Sequence, residues 1–288
     1  MLKGWQNYAC SDTVSNNIMI ENKLEKINQL SDQLTELINP FISYFPNDIE
    51  QSKTPKTLRL VFYMMDRIKE ISQGILDTTY NYNNYSSNIL LRTLIEHFLQ
   101  FSYAIDFLNE NKDDSLGEKY YDYRFIKEEK DYYNSIVKQI KILKNKDEEN
   151  NAVQYLSENK PDLNKYSNSQ LDENNKQFKV GSIIDYLLRN VDFENIDYDK
   201  EIPELHFIKH HTTYCYLSSY IHGGPFAERM LIKYKGVDKR NQRLIHMAET
   251  SFVIYHGTFL LGLTVLGVMT NNRNYIELSE KVGKINFK

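Results

Sequence analysis

Glycine and proline are scarce in this chain, 11 and 6 in 288 residues, and cysteine is scarcer still, with Cys10 and Cys215 far apart. Two distant thiols exclude a disulfide framework and point to a reducing compartment. So few breakers leave long periodic segments, which exclude a turn-rich β fold and predict an all-α, multi-helix bundle. Excess charge of either sign is also missing, since 35 basic and 39 acidic side chains give 35 − 39 = −4. A broad nucleic-acid footprint would need a basic surface, so only a local basic stripe remains open. The first 15 residues mix Lys3, Trp5, Gln6 and Asp12 without an apolar run. They do not read as a secretory signal, and the expected location is cytoplasmic. About 300 residues bury enough surface to fold without a metal or cofactor, and none is expected.

What is present is helical periodicity. Glu21 to Ile38 carries Leu24, Ile27, Leu30, Leu34 and Leu37 at steps of three or four and is expected to stop at Asn39-Pro40. A second helix is predicted over Thr57 to Leu76. A third, capped by Ser86 or Ser87, runs to Leu108, and a fourth, with Tyr121, Phe125, Tyr132, Ile136, Ile140 and Leu143 on one stripe, spans Glu118 to Lys144. Residues 144–179 turn to Asn, Asp, Glu, Lys and Ser and read as a mobile insertion within one domain covering 1–288, with one short helix at Ala152 to Ser157. Further helices are predicted over Ser182 to Arg189, from Pro203 to the Gly223-Gly224-Pro225 stop, and over Asp238 to Val268. Phe252 to Met269 contains no Asp, Glu, Lys or Arg and reaches the lower length of a membrane span. His256, Thr258, Thr264 and three glycines dilute it, so it reads as a core helix and no membrane contact is expected.

Two polar constellations stand out. Arg92 and Glu96 lie one turn apart in an apolar helix, with His97 pointing about 140° away from Arg92. Buried charges need partners, so the pair is either a structural network or a site. In the Pro203 helix, His211, Cys215, Ser218 and His222 are spaced by four, three and four and share one face, with Tyr214 beside them. A zinc site through His211 and Cys215 lacks a visible third ligand, so no metal is expected. Cys215 as a nucleophile lacks an evident third residue. His206, His210, His246 and His256 read as single core or surface histidines, and Lys233, Lys235, Lys239, Arg240 and Arg243 as a solvated face rather than a phosphate contact. No phosphate loop, nucleophile elbow or dinucleotide fingerprint is present.

The segment Leu90-Leu91-Arg92-Thr93-Leu94-Ile95-Glu96 with Tyr103-Ala104, followed by Tyr214-Cys-Tyr-Leu-Ser-Ser-Tyr-Ile-His222-Gly223, resembles the uncharacterised bacterial all-helical domain-of-unknown-function family 5677 over roughly Leu58 to Arg229. That resemblance implies one pocket holding Arg92, Glu96, Ser218 and His222, with Tyr214 near, and no assigned reaction. The spacing Arg92-x(4)-His97 is also similar to the Arg-x(4 to 6)-His motif of the HEPN superfamily, whose members include RNA-cleaving toxins and phage-defence effectors. It departs from that pattern in Thr93, where a more polar residue is favoured, and in lying early rather than in the closing helix. The HEPN resemblance implies a homodimer in which Arg92 binds phosphate and His97 carries a proton on RNA or a nucleotide without metal, whereas the pocket of the first family would use His222 instead. Tyr214, Ser218 and His211 would then line the substrate. The competing expectation is a non-catalytic module that binds a ligand or partner around a structural Arg/Glu/His network.

Overall fold

The computed structural model describes residues 6–142, 146–160, 163, 165–190, 203–233 and 236–285. They form an all-α, multi-helix fold, and no strand occurs among the described residues. The order is α1 (Gln6–Ile42), α2 (Phe45–Glu50), α3 (Pro55–Tyr80), α4 (Asn84–Asn111) and α5 (Ser115–Lys119), then a π-helical turn (Tyr120–Arg124). There follow α6 (Phe125–Ile142), α7 (Lys146–Asn159), α8 (Asn168–Asn175), α9 (Val180–Leu187), α10 (Pro203–Ile221), α11 (Pro225–Lys233), α12 (Val237–Thr270) and α13 (Arg273–Val282).

The centre is the α3–α4 pair with α12 laid against both, flanked by α1, α10 and α13. Leu58, Val61, Met65, Ile68 and Ile75 of α3 meet Leu94, Ile95, Leu99 and Phe101 of α4, all buried. One face of α12 supplies Phe252, Tyr255, Phe259, Leu263 and Leu266 to the same core. At Gly262 the Met65 thioether comes so close that an added Cβ would have to push it aside. Two buried hydroxyls, Ser72 and Ser251, bond each other at 2.6 Å between α3 and α12, so the close approach leaves both satisfied.

Several sequence expectations change. α1 continues through Pro40 to Ile42, so the proline lies inside its last turn, where only two residues follow the backbone bond it forfeits. The cap of α4 is Asn83, whose side chain accepts from the Ser86 amide, in place of Ser86 or Ser87. The single helix expected over Glu118 to Lys144 is broken by the π turn, which rotates everything after it. Phe125 and Tyr132, expected on the packed stripe, are therefore 60% and 62% exposed. Among the described residues of 144–179 there are two α-helices and a 3-10 turn (Lys176–Phe178) instead of one short helix, and α8 opens on a reciprocal Ser167–Gln170 capping box. Leu163, Leu171 and Phe178 are buried, and Phe178 joins the central core. The short α2, α11 and α13 have no counterpart among the expected elements.

Candidate functional site

α4 and α10 run antiparallel, and their register is fixed by three contacts. The Tyr85 hydroxyl donates to the Tyr220 carbonyl at 2.7 Å, Arg92 Nη2 donates to the Tyr214 hydroxyl at 2.6 Å, and Phe98 packs on Phe207 and His210. Arg92 Nη1 donates to Glu96 Oε2 at 2.6 Å, as their one-turn spacing dictates. The guanidinium also lies 4.5 Å from the centre of the Tyr214 ring. Arg92 and Glu96 are only 22% and 25% exposed, so the pair is partly desolvated and its geometry matters. Burial pushes the Tyr214 phenol above its ordinary pKa, and the Glu96 carboxylate adds to the shift. One guanidinium atom, Nε of Arg92, is buried without a partner.

The structure brings Arg92, Glu96 and Tyr214 together and leaves the other sequence candidates elsewhere. His222 follows the end of α10 and is exposed. Eight residues beyond Tyr214, it lies about 12 Å further along the axis, opposite the start of α4. Ser218 donates back to the Tyr214 carbonyl at 2.8 Å and so bonds its own helix. His97 Nδ1 sits 2.9 Å from the Thr93 carbonyl, which makes that nitrogen the donor. Burial lowers the His97 pKa, and Arg124 and Arg67 act in the same direction. His211 and Cys215 do approach each other, Nε2 to Sγ 3.5 Å, at an exposed point of α10. Among the described residues no three His, Cys, Asp or Glu side chains converge as a metal site would require.

The principal concavity lies elsewhere. α10 and α12 both pack on α4, and between them is a cavity of about 700 Å³, within the size range of small-molecule sites. Leu91, Leu217, Met230 and Met247 give it apolar walls. Lys209, Lys239, Arg243, His206, His210 and His246 give it polar ones, and among the described residues that line it there is no carboxylate. Helical spacing explains the convergence. Lys239, Arg243, His246 and Thr250 are four, three and four apart, and so occupy one face of α12.

Arg243 ties the two walls together: Nη1 donates to the Tyr216 hydroxyl at 2.9 Å and Nη2 to Asn88 Oδ1. Its guanidinium stands 5.3 Å from the Tyr216 ring and 5.9 Å from the Tyr220 ring. Asn88 is itself fully buried and held by Asn84, so the arginine is mounted on a fixed support. His210, edge-on to Phe98, has its pKa pushed down to about 4, first by burial and then by His206 and Lys209. It is neutral near pH 7. Lys209, Lys239 and Arg243 around an otherwise apolar hollow create a positive potential suited to an anion, phosphate above all.

Sequence reading missed this site because it took Lys239 and Arg243 for a solvated face and His206, His210 and His246 for isolated histidines. Two signals were present. One is the shared face of 239, 243, 246 and 250. The other is Arg240-Asn241-x(4)-His246, an Arg-x(5)-His spacing with a polar residue after the arginine, in the long helix α12. The Arg240 guanidinium stands 5.9 Å from the Tyr82 ring, and Arg243 is the arginine that lines the cavity with His246.

Residues 58–238 match the model of a family of unknown function (DUF5677), which covers more than half of the chain, and the chain belongs to that family. No curated protein and no solved structure matches it.

Proposed function

We propose that this member of the family acts on RNA or a nucleotide held in the cleft between α10 and α12. The observation that carries the reading is the convergence of Lys209, Lys239 and Arg243 with three histidines around one cavity. Lys239 and Arg243 neutralise the phosphate, Arg243 doing so from a fixed position. The apolar walls take the uncharged part of the ligand. His246, exposed on the same face of α12, is the proton carrier, since a neutral imidazole has one nitrogen that donates and one that accepts. Arg92, Glu96 and Tyr214 brace α10 against α4 and so position one wall. The toxin-like or phage-defence setting belongs to this proposal through the HEPN-type spacing alone.

The test is turnover of end-labelled RNA and of free nucleotides by the wild type and by His246→Gln, with binding measured in parallel. Loss of about 10² or more in rate with affinity changed only a few-fold supports the assignment. Undiminished turnover in His246→Gln removes His246 from the chemistry, and absence of binding by either ligand removes the cleft. A second reading, a non-catalytic binding module, is favoured by the way both Nη atoms of Arg92 are taken up from within by Glu96 and Tyr214. It predicts binding in the cleft with no turnover at all.

A further inference from the structure

A smaller cavity of about 310 Å³, at the lower end of small-molecule sites, shares no lining residue with the cleft. Tyr63 of α3 forms one wall, and Tyr120, Tyr121, Arg124, Phe125 and Glu128 form the rest. The π turn builds this second wall, since Tyr120 to Arg124 belong to it and Phe125 and Glu128 open α6 directly after it. Single π turns recur at functional sites.

The aromatic walls are held from behind. The Tyr120 ring meets Tyr121 edge-on at 5.3 Å and the buried Phe178 ring at 5.4 Å. The Tyr63 hydroxyl accepts from Arg67 Nε at 3.2 Å. Phe125, 60% exposed, leaves a bare ring at the lip. Burial pushes the Tyr120 and Tyr121 phenols up to about 12, so both keep their protons near pH 7.

The charged pair of the wall is only half used. Arg124 and Glu128 are one turn apart, and Nε donates to Oε1 at 3.0 Å. The guanidinium also stands 5.2 Å from the Tyr120 ring and 6.0 Å from the Phe178 ring, which sets its plane. Both Nη groups of Arg124 and Oε2 of Glu128 are left without a partner among the described residues.

We infer that this cavity binds a free α-amino acid with an aromatic side chain. A bare anion such as phosphate would meet the Glu128 carboxylate, and a bare cation would meet the Arg124 guanidinium. In an α-amino acid the carboxylate and the ammonium share one carbon, which matches a guanidinium and a carboxylate in direct contact. The ligand carboxylate takes the Nη fork of Arg124, and its ammonium donates to Oε2 of Glu128. Its ring lies among Tyr63, Tyr121 and Phe125, where edge-on and offset contacts are both open to it. The ligand of this cavity is independent of whatever the cleft holds.

The test is calorimetric titration of the full chain with L-phenylalanine, and with 3-phenylpropionate and 2-phenylethylammonium, which keep one charge each. The wild type is expected to bind L-phenylalanine with a dissociation constant of about 1 mM or tighter, and either single-charge probe about tenfold more weakly. Glu128→Gln, at a side chain 66% exposed and so without consequence for the fold, is expected to erase the preference over 3-phenylpropionate. Arg124→Gln is expected to erase the preference over 2-phenylethylammonium. His246→Gln, in the cleft, is expected to bind L-phenylalanine as the wild type does. No saturable binding of L-phenylalanine up to about 20 mM, tighter binding of a single-charge probe, or a preference that survives its own variant overturns the proposal.

Discussion

Arg92 Nη2 donates to the Tyr214 hydroxyl at 2.6 Å, a bond between residues 122 positions apart that joins the central helix α4 to α10. Glu96 holds the other side of the same guanidinium at 2.6 Å. The arrangement gives Arg92 a structural task, and Arg92→Ala should lower stability by about 1 to 3 kcal/mol, because it strands a half-buried Glu96 and releases the phenol. Urea unfolding measures this. Unchanged stability together with lost activity would return Arg92 to the chemistry.

A double-mutant cycle separates the α4–α10 bond from general packing. Arg92→Met, Tyr214→Phe and the double variant should show a coupling of about 0.5 to 3 kcal/mol. The partners bond directly and stack at 4.5 Å. Additive effects would mean that the contact carries nothing.

Acid should weaken the fold through His210. Its folded pKa is lowered to about 4 from the ordinary 6.5, so between those values the unfolded chain takes the proton and the folded chain does not. The stability that depends on neutral His210 is present above about pH 6.5 and is lost as pH falls toward 4, by about 2 to 3 kcal/mol in all. His97, lowered by the same cause, acts in the same direction. His210→Phe should flatten the pH dependence of the unfolding midpoint over that window. A variant with the wild-type slope would contradict the assignment.

Gly117 should tolerate no side chain. An added Cβ would overlap the Thr57 amide and the Lys56 carbonyl carbon, both backbone. It lies where Asp114 accepts from the Lys56 and Thr57 amides and so caps α3 from a neighbouring segment. Gly117→Ala is expected to cost about 3 kcal/mol or more, while Gly181→Ala, with open space around it, should change stability by less than about 1 kcal/mol. Thermal melts of the two variants compare them directly.

The 3.6-residue period made the great helices legible: α3, α4, α10 and α12 lie close to where Leu58, Leu94, Pro203 and Phe252 point. The π turn was not legible, since Tyr120 to Arg124 have ordinary helix-forming composition and the extra residue per turn shows only in the rotated exposure of Phe125 and Tyr132. α8 carried a readable Ser167-x-x-Gln170 signal that polar composition obscured. At the candidate site, the Arg92–Glu96 pair followed from spacing alone. The family resemblance put Tyr214 near this pair, and the antiparallel register of α4 and α10 brings its hydroxyl onto Arg92 while it separates His222. The cleft escaped notice because it is made by two helices facing across a third, a relation that no local window contains.

The central claim is that the cleft between α10 and α12 holds the ligand and the Arg92 network braces its wall. It is tested most directly by the dissociation constant of one labelled nucleotide for the folded wild type, for Lys239→Glu and for Arg92→Met. The account predicts at least a tenfold loss for Lys239→Glu, about 1.4 kcal/mol or more, and a change within about two-fold for Arg92→Met. The reverse order, with Arg92→Met abolishing binding and Lys239→Glu unaffected, would contradict it.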